Sequence, residues 1–424
     1  MRCLVLEPHC QGRDRLTMAA DKMPASGLWA LGFTQILGYG TLFYSFSILA
    51  SDMALEFGWT EQSIFGAFSL ALLLAGLVSP TAGRLADRYG AGRIMTAGSF
   101  VCALALLASA AAPNGFIFVL LLAVTQAAST LVLYSAAFVA IVQFGGSKAQ
   151  RSIVHLTLIA GFASTLFWPL TTFLHELLSW RSVYVAFALI HLAVCAPLHA
   201  MIAAQSRRQS DIGRQAANAG AGEEQPGISL SASQRQAVFI LLLAGFALEG
   251  LTLSAILVHL VPLTQALGMG SMGLFVAGLF GPAQVASRFT NMLFGGRLSQ
   301  TWLAVISSAL LPIGLAVLIA TAPSAAGGVL FAVLIGLGSG LNSIVSGTLP
   351  LELFGRKGYG ALLGWVTAAR QTASALAPFG LSLAMAHLGV APSLGLAGLT
   401  GAGALVCFGS IVVLTTRRRM AVAC

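Results

Sequence analysis

Glu249, Arg288 and Arg370 stand inside apolar runs of a chain that is 57% hydrophobic and only 8% charged. A charge at the centre of a bilayer costs at least about 2.5–3.5 kcal/mol, so it is kept where a partner or a ligand compensates it. Gln284, Arg288 and Asn291 follow one another at i, i+4 and i+7, with Gly281 and Gly295 on the same side, which makes one polar stripe on a helix. Arg370 stands about 20 Å along its helix from Lys357, too deep to snorkel, and Thr367, Gln371 and Ser374 extend its polar face. Glu249 shares its face with Thr252 and His259. An ion pair with Glu249 would neutralise one arginine and leave the other. A free guanidinium grips a carboxylate through two parallel hydrogen bonds. The pattern therefore points to an anion site at Arg288 and Arg370, with Glu249 as a carrier of a coupling proton or a clamp on an arginine. Gln35, Tyr39, Gln126, Tyr134 and Asn342 are further candidates to line the same cavity, and Ser339, Ser343 and Ser346 read as packing residues.

The elements that must carry these residues are membrane spans. Each of twelve apolar runs, near 28–50, 63–82, 94–112, 115–142, 152–174, 182–204, 237–262, 273–295, 302–321, 327–349, 358–380 and 388–415, is long enough to cross about 30 Å of hydrocarbon. The expected fold is all-α and integral to the membrane. A polar stretch at 205–236, rich in Gln, Ser, Gly and Ala, separates six spans from six and reads as a flexible tether. The expected organisation is a polar tail at 1–26, a six-helix bundle at 27–204, the linker, a second bundle at 237–416 and a basic tail at 417–424. With the first residues inside, every Lys and Arg except Arg181, Arg288 and Arg370 falls on one side, the positive-inside asymmetry that places both termini in the cytoplasm. The net charge of +9 is thus a membrane signature rather than one of nucleic-acid binding. Six scattered cysteines argue against a disulfide framework, and residues 1–26 lack the apolar core of a signal peptide. No nucleotide-binding loop, catalytic constellation or metal-ligand spacing occurs, so neither an enzyme nor a cofactor is expected.

The segment GRLADRYGAGR, Gly83 to Arg93, lies between the second and third spans, and GGRLSQT, Gly295 to Thr301, echoes it between the eighth and ninth. In these residues the chain resembles the major facilitator superfamily. That resemblance implies two pseudo-symmetric six-helix bundles rocking about a midplane site, and a cytoplasmic latch formed by Gly83, Asp87, Arg88, Gly90 and Arg93. Independently of the family, the glycines suit a tight turn and Asp87 suits a helix N-terminus. Three departures stand out. Gln300 replaces the second aspartate, so the second latch is weakened. Gln126 is the nearest polar residue where many members have a helix-four arginine. AGFASTLFWPL supplies Pro169 without the glycines of an antiporter signature. EFGWT (Glu56 to Thr60) and SWRSVYVAF (Ser179 to Phe187) look like the branch of monocarboxylate and oxalate/formate porters, which use an arginine in helix eight and, in the latter type, a basic residue in helix eleven. The helix-one lysine and the helix-eight acid of the monocarboxylate type are absent; Gln35, Tyr39 and Tyr44, and Gln284, stand there instead.

The expected activity is secondary transport of a small organic anion, proton-coupled or by exchange, by a monomer in a bacterial inner membrane. The lipid bilayer and the anionic cargo are the expected partners. One rival is a multidrug or metalloid exporter of the same fold, with structural arginines and Phe43, Tyr44 and Trp365 lining an apolar cavity. Another is a membrane receptor or sensor that transports nothing.

Overall fold

The computed structural model describes residues 23–144, 148–218, 227–270, 272–295 and 298–423; side chains at 210–218, 261, 274 and 417–423 are outside the description. The first 22 residues, the middle of the expected linker, Gly296 and Arg297 of the second loop motif, and the side chains of the basic tail therefore lie outside the described residues. Within them the chain is helical throughout. The spans are α1 (25–57), α2 (Glu61–Tyr89), α3 (Ala91–Ala110), α4 (Gly115–Phe144), α5 (Ala149–Leu177), α6 (180–218), α7 (Ala232–Ala266), α8 (Met272–Phe294), α9 (Gln300–Thr321), α10 (Ala325–Phe354), α11 (Tyr359–Leu388) and α12 (Val390–Ala423). Nine of the described helices are long and apolar enough by themselves to cross a membrane. The three that are less apolar, α1, α8 and α11, carry Tyr39, Arg288 and Arg370. Their polar residues lower the hydropathy because they face the interior rather than lipid. Large apolar side chains exposed on the outer faces, among them Leu55, Phe116 and Phe379, would be a liability in water and are natural in hydrocarbon.

Several spans are irregular, and the sequence supplies local compensation. In α1 a π-helical turn covers Gly40–Tyr44, and α4 breaks at 130–133. Such breaks strand carbonyls that lipid cannot satisfy. Gln35 Nε2 donates to the Val132 carbonyl at 2.7 Å, and Gln126 Nε2 donates to the Leu42 carbonyl at 2.8 Å. Each glutamine thus mends the irregular turn of the other helix and locks α1 to α4. At the far end of the same bundle, Arg181 donates from Nε to Glu56 and from Nη1 and Nη2 to the carbonyls of Ala110 and Ala112, while Trp180 Nε1 donates to the second Glu56 oxygen. The EFGWT and SWRSVYVAF stretches are therefore two sides of one clamp joining α1, α3 and α6.

Helices α1–α6 and α7–α12 form two six-helix bundles, each with its own apolar core. The core around Phe46, Met53, Phe118 and Phe187 uses residues of the first bundle alone, and the core around Ile256, Leu315 and Phe331 uses those of the second alone. At the other end the cores are shared: Leu351, Tyr359 and Leu363 join Phe138, Phe144 and Ile153, while Val154 joins Val238 and Phe246. The bundles merge at the end bearing the Gly83–Arg93 loop and are apolar-independent at the other.

The halves also repeat a capping device. Gln143, near the end of α4, accepts from the amide of Ala91, the first residue of α3; Glu352, near the end of α10, accepts from the amide of Gln300, the first residue of α9. Helix four bears the same relation to helix three as ten does to nine, which is the pseudo-symmetry expected of two related bundles.

Candidate substrate-binding site

Helices α8 and α10 pack closely because Gly340 leaves room for Ser287 and the Gln284 backbone. Two parallel rungs join them, Gln284 Nε2 to Ser339 Oγ at 2.6 Å and Arg288 Nε to Ser343 Oγ at 2.9 Å. One turn separates the rungs on each helix. Arg288 is 6% exposed, and among the described residues its terminal nitrogens have no hydrogen-bond partner. Nη1 lies against Gly161 of α5, so the side chain reaches from one bundle to the other. The serines orient the fork and leave its outer edge free.

Arg370 approaches the same region from α11, where its stem lies on Gly250 of α7. It has no hydrogen bond among the described residues. The expected clamp is not formed: no described acidic side chain lies within 4.0 Å of Arg288 or Arg370, and the ion pairs found are His175–Asp52 and Arg181–Glu56. Glu249 is fully buried, close enough to Arg370 to feel its charge, with Ser307 of α9 beside it, yet neither carboxylate oxygen has a hydrogen-bond partner. Neither arginine therefore has an ion-pair partner among the described residues, although Glu249 lies within Coulombic reach of Arg370.

Facing them is an aromatic group from the first bundle. The rings of Tyr39 and Tyr134 lie 4.7 Å apart and those of Tyr39 and Tyr44 6.3 Å apart, and Tyr134 stacks on Phe138 at 5.2 Å. Arg370 is within Coulombic reach of Tyr39 and Tyr134, and Arg288 of Tyr44 and Tyr134. Two cations and three phenols thus converge where the bundles face each other.

Just below, the cleft is closed. Ser135 bonds Thr367 at 2.9 Å across the bundles, and Arg356 Nη2 donates to the Val142 carbonyl at 2.9 Å. Gly83 sits against Gly360, where a side chain on either would overlap the other backbone. That approach brings Asp87 to the first turn of α11, whose Gly360 and Ala361 amides donate to its two oxygens at 2.9 and 2.8 Å. A carboxylate at a helix N-terminus satisfies orphan amides and opposes the positive end of the helix dipole. Gly90 makes the turn into α3 at φ 91°, a conformation only glycine takes readily.

The remaining candidates lie elsewhere. Gln35 and Gln126 each donate to a backbone carbonyl inside the first bundle, and Gln35 Oε1 is buried without a partner among the described residues. Asn291 folds back on Gly295 at the end of its own helix. Asn342 is buried on α10 with Oδ1 unpartnered. Arg88 lies over the Tyr89 ring at 5.2 Å and Arg93 is exposed, so neither crosses between bundles. Gln300 bonds Thr348 and Glu352 within the second bundle instead of forming a second latch. Sequence reasoning passed over Gly161 and Ser164. Their signal was a glycine followed by polar residues and Pro169 in the middle of an apolar span.

A family model described as Major Facilitator Superfamily matches residues 28–378. Among solved structures, the proton:xylose symporter XylE bound to 6-bromo-6-deoxy-D-glucose is similar at TM-score 0.67 and 13% identity, over 92% of this chain and 97% of that one. The human organic anion transporter MFSD10 (TETRAN) is similar at TM-score 0.67 and 15% identity, over 91% and 100%. At such identities the likeness establishes the fold alone. No curated protein sequence matches the chain. With two six-helix bundles facing across a central cleft and the family match over most of its length, the chain belongs to the major facilitator superfamily, a family of secondary transporters that are integral to the membrane.

Proposed function

We propose that the chain transports a small organic anion, a carboxylate, at a site built from Arg288 and Arg370. The observation that carries this reading is the pair of arginines facing the cleft with no described acidic side chain within 4.0 Å of either. A desolvated guanidinium without an internal counter-ion is matched by a ligand that brings one. The fold by itself does not choose a cargo, since the solved structures named above are described for a sugar and for organic anions. Tyr39, Tyr44 and Tyr134 supply hydroxyl and ring edges that suit a carboxylate. The monocarboxylate and oxalate/formate branch is the subgroup we assign, on the two arginines in helices eight and eleven.

Glu249 is the group we assign to proton coupling, and the end closed by Asp87 is the cytoplasmic gate, since the described basic residues gather there. The site then opens to the opposite side. Uptake and counterflow in proteoliposomes, with a panel of carboxylates and with and without a proton gradient, test the reading. Counterflow of carboxylates but not of lipophilic cations is expected. The reverse pattern would replace anion transport by drug export.

A further inference from the structure

The outer half of α5 has two exposed faces that differ in surroundings. Phe162, Leu166, Leu170, Phe173 and Leu177 are all exposed and recur at three- and four-residue spacing, so they form one apolar strip turned to lipid. On the opposite side, Gly161, Ser164 and Trp168 stand at i, i+3 and i+7 and share a face. Two contacts place that face in the cleft: Arg288 Nη1 lies against Gly161, and Tyr44 is beside Ser164. Trp168 is 50% exposed. Because the lipid strip lies across the helix from it, the open surface of this indole belongs to the cleft.

A second observation concerns what Trp168 meets. Tyr44 of α1 stands edge-on to its ring at a centroid separation of 6.1 Å, and Phe43 stands edge-on to Tyr44 at 5.3 Å. Among the described residues, Tyr44 supplies the one ring contact of Trp168. Two helices thus build an aromatic wall and leave the rest of the indole uncovered. Its depth follows from the helix. Ile153 of α5 belongs to the core at the closed end, Gly161 lies at the arginine, and Trp168 is a further seven residues, about 10 Å, toward the open end. An indole face is best covered by another ring, offset-stacked or edge-on, at a centroid separation of about 4.5–7 Å.

We propose that Trp168 and Tyr44 form a ring subsite, which takes the aromatic ring of a cargo whose carboxylate is held by Arg288, so that the substrates are aromatic carboxylates. This rests on the organic-anion reading and narrows it. The step of about 10 Å between Gly161 and Trp168 holds a hydrogen-bonded carboxylate and a ring-to-ring contact when the carboxylate is attached to the ring directly or through a short linker. A short aliphatic acid would reach the arginine and leave the indole bare. Trp168 and Tyr44 belong to the first bundle and Arg288 to the second, so an aromatic acid is gripped by both.

The test titrates the purified full chain in nanodiscs with benzoate, acetate and benzyl alcohol. The parent chain should bind benzoate at least about tenfold more tightly than acetate. Trp168→Ala should erase most of that margin while acetate affinity stays, and Trp168→Phe should keep most of it, a pattern that general loss of packing does not produce. Trp168→Leu retains apolar bulk without a ring, and the same loss is expected from it if Trp168→Ala does not fold. A margin absent from the parent chain, or unchanged in Trp168→Ala and Trp168→Leu, would overturn the ring subsite; with carboxylates still bound, the anion reading would stand. Benzyl alcohol bound in a Trp168-dependent way, beside no binding of either carboxylate, would keep the ring subsite and remove the anion reading.

Discussion

Arg288 commits one of its five donors to Ser343 and leaves its outer edge free, which is the arrangement the proposed anion site requires. Glu249 is the opposite case, an acid with neither oxygen partnered and no solvent contact. An uncompensated carboxylate costs far more in such a place than a neutral acid, so Gln at 249 should be a close mimic of the resident form. Glu249→Gln is therefore expected to keep carboxylate exchange and to lose at least about tenfold of the stimulation by an imposed proton gradient. Gradient-driven uptake at the normal rate would remove the coupling role. The arginines were legible in the sequence because a charge in an apolar run needs a reason. Gln35 and Gln126 were ambiguous in the sequence because a polar side chain in a span answers two needs equally well, a ligand or a stranded carbonyl. Only the irregular turns at Gly40–Tyr44 and 130–133, invisible to periodicity, decide between them.

At the scale of elements, the α2–α11 contact was readable in GRLADRYGAGR, where glycines permit close approach and an aspartate suits a helix start. What sequence could not supply was the partner, since Gly360 and Ala361 lie more than 270 residues away. Asp87→Asn removes the charge and one of two acceptors, worth about 1–2 kcal/mol, and should shift the bundles about fivefold to thirtyfold toward the gate-open state. Spin-label distances between the ends of α2 and α11 would report it, while carboxylate binding persists. Unchanged distances would deny Asp87 the latch. The clamp at the other end gives a pH signature. Burial raises the Glu56 carboxyl, but the hydrogen bonds from Arg181 and Trp180 outweigh it and hold the group below its ordinary value. A depressed carboxyl stabilises the fold above the unfolded-state value, about 4.3, and that contribution fades as pH falls through the lower folded value. Glu56→Gln should lower the melting midpoint by about 2 °C at neutral pH, with the difference from the parent chain vanishing in acid. A constant difference across pH would assign the loss to packing alone.

For the whole molecule, twelve spans followed from hydropathy and their division six and six from the polar stretch at 205–236, and the three spans short of the others in apolar character carry Tyr39, Arg288 and Arg370. The conformation did not follow, because rocking bundles share one sequence and differ only in which contacts are made. Here the shared cores and the Asp87 cap close one end, and Arg288 spans the interface at mid-depth. The central claim is that this cleft is cationic by design and selects anions. It is tested most directly by titrating the purified chain, Arg288→Gln and Arg370→Gln with a carboxylate and with a lipophilic cation. The account predicts that each substitution weakens carboxylate binding about tenfold to a hundredfold and leaves cation binding unchanged or stronger. Unchanged carboxylate affinity in both variants would contradict it.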